Sequence, residues 1–294
     1  MSPGEMAGSR VDADGPKGTT IVSPGHPGWL ACRLTHKQFV ASCVFCAVCQ
    51  FAPGETHADA ADTGAERKFV TGRLGVGALV ESRYSGAADY QTFPVPLASL
   101  EFGDYAYIDY WQAGLYLLSS PDKTLGLAIV ATPRLGFNSS DGPRLAGMTA
   151  RKSSIETGLS IDYGSDSAGV SLSYLHDIAG ASDGGLVRLL GFKRIEITSH
   201  FGVEAFLGQE RLSSQVANYY YGVGSNESTA ARPYYQPGIA TDLNAGLHFN
   251  YDFGQKSTIL FGYEATRLGD SLANSPIVER RLTNLFYVGY GWRL

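Results

Sequence analysis

The chain has 294 residues, a charged fraction of 17%, a formal net charge of -5, 36 glycines and 17 tyrosines. The negative balance and the lack of any Lys/Arg-rich run argue against a nucleic-acid partner. Low charge with abundant Gly and Tyr suits a chain whose outward positions avoid charge and whose interfaces carry aromatic rings, and no stretch after residue 60 is apolar enough for a transmembrane helix, so membrane character has to come from alternation.

The amino end is polar to about Leu30, then carries Arg33, His36 and Lys37, an apolar run from Phe39 to Phe51, and Ala58-Asp59-Ala60. Charge, grease and small residues in that order read as a secretory signal cleaved after Ala60. The apolar run is short of the roughly 20 residues of a spanning helix. An upstream mis-assigned start codon and a functional extension both remain open for the first thirty-odd residues. Cys32, Cys43, Cys46 and Cys49 all precede Ala60, so residues 61–294 hold no thiol. Cys43, after Val40-Ala41-Ser42, loosely fits lipidation, but too little apolar sequence precedes it. No partner ligands follow Cys43, Cys46 and Cys49 at metal-binding spacing, so neither a metal nor a cofactor is expected.

Beyond the signal, alternation marks strands near 70–82, 93–102, 105–118, 124–138, 153–164, 167–178, 185–194, 198–211, 241–253, 257–270 and 282–294. The clearest runs Leu243, Ala245, Leu247, Phe249, Tyr251 and Phe253 along one face, against Asp242, Asn244, Gly246, His248, Asn250 and Asp252. One face is greasy and one wet, as in a barrel with lipid outside and a polar interior. Leu125, Leu127, Ile129, Ala131, Leu135 and Phe137 form a similar apolar face, as do Ile155, Leu159, Ile161 and Tyr163, and Phe201, Val203, Ala205 and Leu207. Segment 185–194 is apolar on both faces. Tight connections at 119–123, 164–166 and 254–256 alternate with long ones at 139–152, 212–240 and 271–281. The last segment alternates Phe286, Val288, Tyr290, Trp292 and Leu294 with Gly289, Gly291 and Arg293, the finish of a bacterial outer-membrane barrel.

Eleven segments conflict with the even strand number of a single-chain bacterial barrel. A bend near Tyr110-Trp111-Gln112 would split 105–118 and give twelve strands; losing a weak strand would give ten. The expected fold is therefore all-β: a cleaved signal (1–60) followed by one transmembrane antiparallel barrel (61–294) of about twelve strands.

The inward polar residues are Arg73, Arg134, Glu156, Asp162, His200, Glu204, Asp242, His248, Asp252, Glu264 and Arg293. Rings of charge can select ions, whereas in a narrow barrel the same residues pair across the lumen and plug it; pairing is the preferred reading. Tyr219, Tyr220, Tyr221, Tyr234 and Tyr235 crowd the 212–240 connection. Clustered tyrosines suit a contact surface, and equally an aromatic belt or a loop folded into the barrel mouth. His176-Asp177 is the best candidate for rim chemistry, but strand neighbours point to opposite faces and cannot form a dyad; no catalytic residue is assigned.

Ala217-Asn218-Tyr219-Tyr220-Tyr221-Gly222-Val223, Tyr234-Tyr235-Gln236-Pro237-Gly238, and Leu268-Gly269-Asp270 with Ser275-Pro276-Ile277-Val278 and a following arginine resemble the MltA-interacting protein (MipA/OmpV) family. Leu74-Gly75-Val76-Gly77, Tyr84-Ser85-Gly86 with Asp89-Tyr90, and Phe93-Pro94-Val95-Pro96 resemble its opening hairpin. The resemblance covers residues 69–294. It implies an outer-membrane protein in contact with lipid, and a scaffold joining a lytic transglycosylase to a murein synthase. A small-solute channel is the alternative, and a rim enzyme acting on lipid or peptide the third reading.

Overall fold

The computed structural model describes residues 69–294. The expected signal and cleavage site, and all four cysteines, lie outside the described residues. Twelve antiparallel strands form six hairpins among the described residues: β1 (Val70–Ser82) with β2 (Tyr90–Phe102), β3 (Ala106–Asp109) with β4 (Gln112–Ser119), β5 (Leu125–Arg134) with β6 (Ser154–Ser165), β7 (Ala168–Asp177) with β8 (Gly185–Thr198), β9 (Phe201–Leu212) with β10 (Ala240–Phe253), and β11 (Ser257–Arg267) with β12 (Leu282–Arg293). Each strand pairs with its neighbours in sequence, and β12 returns to β1, closing the barrel. Closure gives every strand a partner on both sides over at least part of its length, as a sheet that spans a membrane requires. The short β3 and β4 leave one stretch of β2 and the end of β5 paired on one side alone. At the seam Gly75 faces Gly291 and Gly77 faces Gly289; a Cβ on Gly75 would lie 2.5 Å from the Tyr290 carbonyl, so the close approach requires glycine.

The split of 105–118 occurs where the sequence bends. Tyr110, with φ +49°, turns the chain between β3 and β4, so this segment contributes two strands and the strand number is even. This hairpin is much the shortest. β3 has four residues and β4 eight, fewer than the about 9–11 that a strand needs to cross a bilayer.

The outer face is apolar over the height of the wall. Val76, Leu118, Leu125, Leu159, Ile161, Leu172, Ile195, Leu207, Phe261, Phe286, Val288 and Trp292 are all exposed. Leu125, Leu159, Ile161 and Leu207 lie on the parities that alternation assigned to lipid, whereas Phe137, placed on the same face as Leu125, is buried in the cap because β5 ends at Arg134 and the chain leaves the wall there. The ambiguous segment β8 resolves by height. Val187 and Leu189 face outward, whereas Leu186 is fully buried beneath the loops at the barrel mouth, so both faces had reason to be apolar.

Connections of two to five residues sit at one end of the barrel (103–105, 120–124, 166–167, 199–200 and 254–256). Those of the other end reach 27 residues, at 213–239. The long-loop end is folded into a cap. Ser213 caps helix α1 (Ser214–Tyr221), its hydroxyl accepting from the Val216 amide, and α1 drops Val216, Ala217, Tyr220 and Tyr221 into a cluster with Leu145, Leu175, Leu186, Leu212, Leu272 and Ile277.

Candidate functional site: the lumen and its cap

Three levels of charge cross the lumen. Nearest the cap, Arg134 Nε donates to Glu156 Oε1 at 2.5 Å and its Nη2 to Glu210 Oε1 at 2.5 Å, while Arg188 Nη2 donates to Glu210 Oε2 at 2.9 Å. Arg134 comes from β5 and Glu210 from β9, with three strands between them along the wall. The pair therefore bridges the interior. At mid-height Arg194 holds Glu204 at 2.7 Å, and His248 places Nε2 3.0 Å from Glu264 and Nδ1 3.5 Å from Glu204. At the short-turn end Arg73 and Arg293 both reach Asp252.

Aromatic rings fill the middle level. His248 is ringed by Phe206, Tyr110 and Tyr287 at centroid distances of 5.1, 5.6 and 5.7 Å. Tyr110 is the tip of the β3–β4 hairpin, and it touches residues of β10 and β12. The short hairpin thus bends inward and narrows the lumen. Gly246 and Gly262 make the flat packing possible, because a Cβ there would lie 2.4 Å from the Phe206 ring and 2.3 Å from the Tyr287 ring. Beside this cluster the lumen wall is apolar, with Leu79, Val95 and Leu97 buried against Phe93, Trp111 and Leu285. A purely wet interior, as alternation implied, is interrupted here.

Of the inward polar candidates, Arg73, Arg134, Glu156, Glu204, His248, Asp252, Glu264 and Arg293 are brought into these ion pairs. Asp162 accepts from Ser160 Oγ at 3.0 Å, and Asp242 from the Gly269 amide at 2.8 Å, tying β10 to the last long loop. His200 lies on the two-residue turn between β8 and β9, exposed, and is not part of the lumen. Alternation placed it on a strand read as 198–211, but β8 runs on to Thr198, past the segment read as 185–194, and the turn falls at 199–200. Arg188 and Arg194, which complete two of the levels, escaped the sequence reading because β8 had no clear wet face.

The loop tyrosines divide. Tyr220 and Tyr221 are buried in the cap, Tyr219 and Tyr235 pack against it, and Tyr234 is exposed. Tyr221 shares a 2.6 Å hydrogen bond with Ser85, and Tyr235 donates to the Ser271 carbonyl at 2.7 Å. Other ties join the remaining loops: Tyr84 donates to the Ile277 carbonyl, Arg144 to that of Val278, and Arg232 to those of Arg144 and Ala146. His176 is exposed on the outer face, whereas Asp177 points inward, held by Ser154 and by the amides of Ala179 and Ser182.

A recess of about 340 Å³ in the cap is lined by Arg151, Asn218, Tyr219, Asn226, Glu227 and Gln236, among others. Glu227 accepts from Arg151 Nη2 at 2.7 Å and from the amides of Thr149 and Gly224. The Arg151 hydrogen bond, helped by those amides, holds its carboxyl down at about 2, against an ordinary 4.5. A depressed folded-state pKa stabilises above the unfolded value and is lost as pH falls through the folded one. Amide exchange in 213–239, corrected for intrinsic rate, should therefore quicken between pH 4.5 and pH 2; in Glu227→Gln this acid step should largely disappear.

A family model described as MltA-interacting protein MipA matches residues 74–294. The chain belongs to this family. Proteins that this MipA-family chain resembles include outer membrane protein Omp26La of Vibrio anguillarum, 32% identical over 133 residues, covering 45% of this chain and 51% of that one; this match spans about half of the relative's length. Outer membrane protein OmpV of Vibrio cholerae is 28% identical over 69% of this chain and 72% of its own. The MltA-interacting protein of Escherichia coli K12 is 27% identical over 78% of this chain and 91% of its own. With relatives so named and a closed barrel with an apolar outer face, this MipA-family chain is a protein of the bacterial outer membrane.

Proposed function

We infer that the barrel is a non-catalytic scaffold of cell-wall assembly, which holds a lytic transglycosylase and a murein synthase at the inner surface of the outer membrane. One observation carries the choice over a channel: the lumen is bridged at the cap by Arg134, Glu156, Glu210 and Arg188, and narrowed at mid-height by the inward hairpin tip around His248. Paired charges leave no uncompensated ring to attract a permeant ion. The name of the E. coli relative supplies the lytic transglycosylase as partner.

In outer-membrane barrels the short turns face the periplasm, so the docking surface is the short-turn end, where Asp104, Lys123, Asp166, Lys193, Glu196 and Lys256 are exposed. Crosslinking in intact envelopes followed by pull-down should recover both murein enzymes, and Lys123→Glu with Lys256→Glu should reduce that recovery several-fold while the barrel still folds. Discrete current steps in planar bilayers, altered by Glu204→Gln, would instead establish a channel. Failure to recover either enzyme would remove the scaffold.

A further inference from the structure

The barrel wall is incomplete between β2 and β5, and the defect has a chemical signature. β3 ends at Asp109 opposite Ser99, so residues 90–97 of β2 have no strand on that side. On the other flank the β4–β5 pairing begins at Ala113 opposite Ala131, so the end of β5 has no strand on that side. The ring is closed here only by the low hairpin. Because β3 is less than half the length of a crossing strand, its tip stops near mid-membrane, and the gap above it opens on the half of the bilayer nearer the long loops. Loop 135–153 closes the gap from above, since Arg144 reaches the Val278 carbonyl and Gly142 lies against Tyr84.

Backbone hydrogen bonds give the direction of each edge group. Tyr110 N donates to Ala98 O, so even residues of β2 present their backbone to the β3 side. Ser120 N donates to Leu125 O, so odd residues of β5 present theirs to β4. Pro94, Pro96 and Pro133 therefore all aim a missing N–H into the gap. They are the only prolines within strands among the described residues.

That placement discriminates between occupants. Water satisfies N–H and C=O alike and gives no reason to remove donors. An added strand needs the donors, and proline blocks it. Hydrocarbon penalises an orphan N–H, which is tolerated less readily than an under-satisfied carbonyl. The inner side of the gap matches hydrocarbon as well: Phe93, Val95 and Leu97 face the lumen from β2, backed by Leu79 and Trp111.

We propose that the gap between β2 and β5 is a lateral portal that seats an acyl chain of an outer-membrane lipid against Phe93 and Trp111. The site is separate from the periplasmic surface of the scaffold reading and stands if that reading fails. With Trp29, Trp111 and Trp292 replaced by Phe, a single reporter is introduced at Phe93→Trp or, as a control behind the continuous β8–β9–β10 wall, at Phe206→Trp. Both proteins are reconstituted in vesicles of phosphatidylcholine brominated on its acyl chains, which quench only on contact. The Phe93→Trp reporter should lose most of its emission and the Phe206→Trp reporter little. Quenching of the Phe93→Trp reporter by aqueous acrylamide alone would make the gap a water-filled notch and overturn the proposal. Quenching by neither agent, or equal bromolipid quenching at both positions, would overturn it too. If Phe93→Trp does not fold, as judged by heat-modifiable migration, native Trp111 serves as reporter with Trp29→Phe and Trp292→Phe, and its failure to be quenched by the brominated chains counts equally against the portal.

Discussion

Replacing Arg134 with Met is expected to destabilise the folded barrel by about 3–5 kcal/mol, the usual cost of removing one partner from a buried ion pair. The side chain of Glu156 is 2% exposed and that of Arg134 18%, so the carboxylate has no water to fall back on once the guanidinium is gone. The two carboxylates do not suffer equally. Glu210 keeps Arg188, with both Nε and Nη2 donating to Oε2, whereas Arg134 is the only cation paired with Glu156 among the described residues. The damage should therefore concentrate on Glu156, and adding Glu156→Gln to Arg134→Met should restore part of the loss. Urea unfolding of the three variants in micelles, closed into a double-mutant cycle, measures that coupling. Equal losses in the single and double variants would show that Arg134 acts through its packing over the Tyr220 ring, 5.9 Å away, and not through its charge.

How much of this was legible in the sequence depends on the range of the interaction. Alternation is local, so the strands, the lipid parities and the bend at Tyr110-Trp111 could be read from neighbours alone. The closing strand could be read in the same way, since Phe286, Val288, Tyr290 and Trp292 repeat one face. Which charges pair is set by strands far apart in sequence: Arg134 meets a carboxylate 76 positions away, and no periodicity carries that information. The apolar lumen patch was hidden for a related reason. Val95 and Leu97 face inward opposite a hairpin too short to reach them, and the shortness of β3 appears only once register fixes where it starts and stops. The Phe93-Pro94-Val95-Pro96 motif was visible as a family resemblance, yet its physical sense depends on which way each amide points.

The tyrosines of 212–240 show the same boundary. Composition could place them at an interface or in a folded loop, and the capping Ser213 tips the balance, because it starts a helix that carries Tyr220 and Tyr221 down into the mouth. Burial then converts a plausible contact surface into a structural plug, leaving Tyr234 exposed.

The middle of the lumen supplies the second large effect. Gly262→Val places branched carbon where the Tyr287 ring lies, since even a Cβ at this position would come 2.3 Å from Cε1 and 2.5 Å from Cζ. The ring is 4% exposed and packed on Tyr110 and His248, so it cannot swing aside without displacing the hairpin tip. Overpacking of this kind costs about 1–3 kcal/mol, and the lost seat of Tyr110 should loosen the wall on the portal side as well. Tyr287→Leu alone removes a ring and leaves a void, which also destabilises. Combined with Gly262→Val, however, the smaller side chain makes room for the valine, so the double variant should be more stable than Gly262→Val alone. Unfolding midpoints of the pair and both singles read the coupling directly. Additive losses would mean that the glycine serves the close passage of β11 and β12 rather than the seat of the ring, and the inward hairpin would then need another anchor than Tyr287.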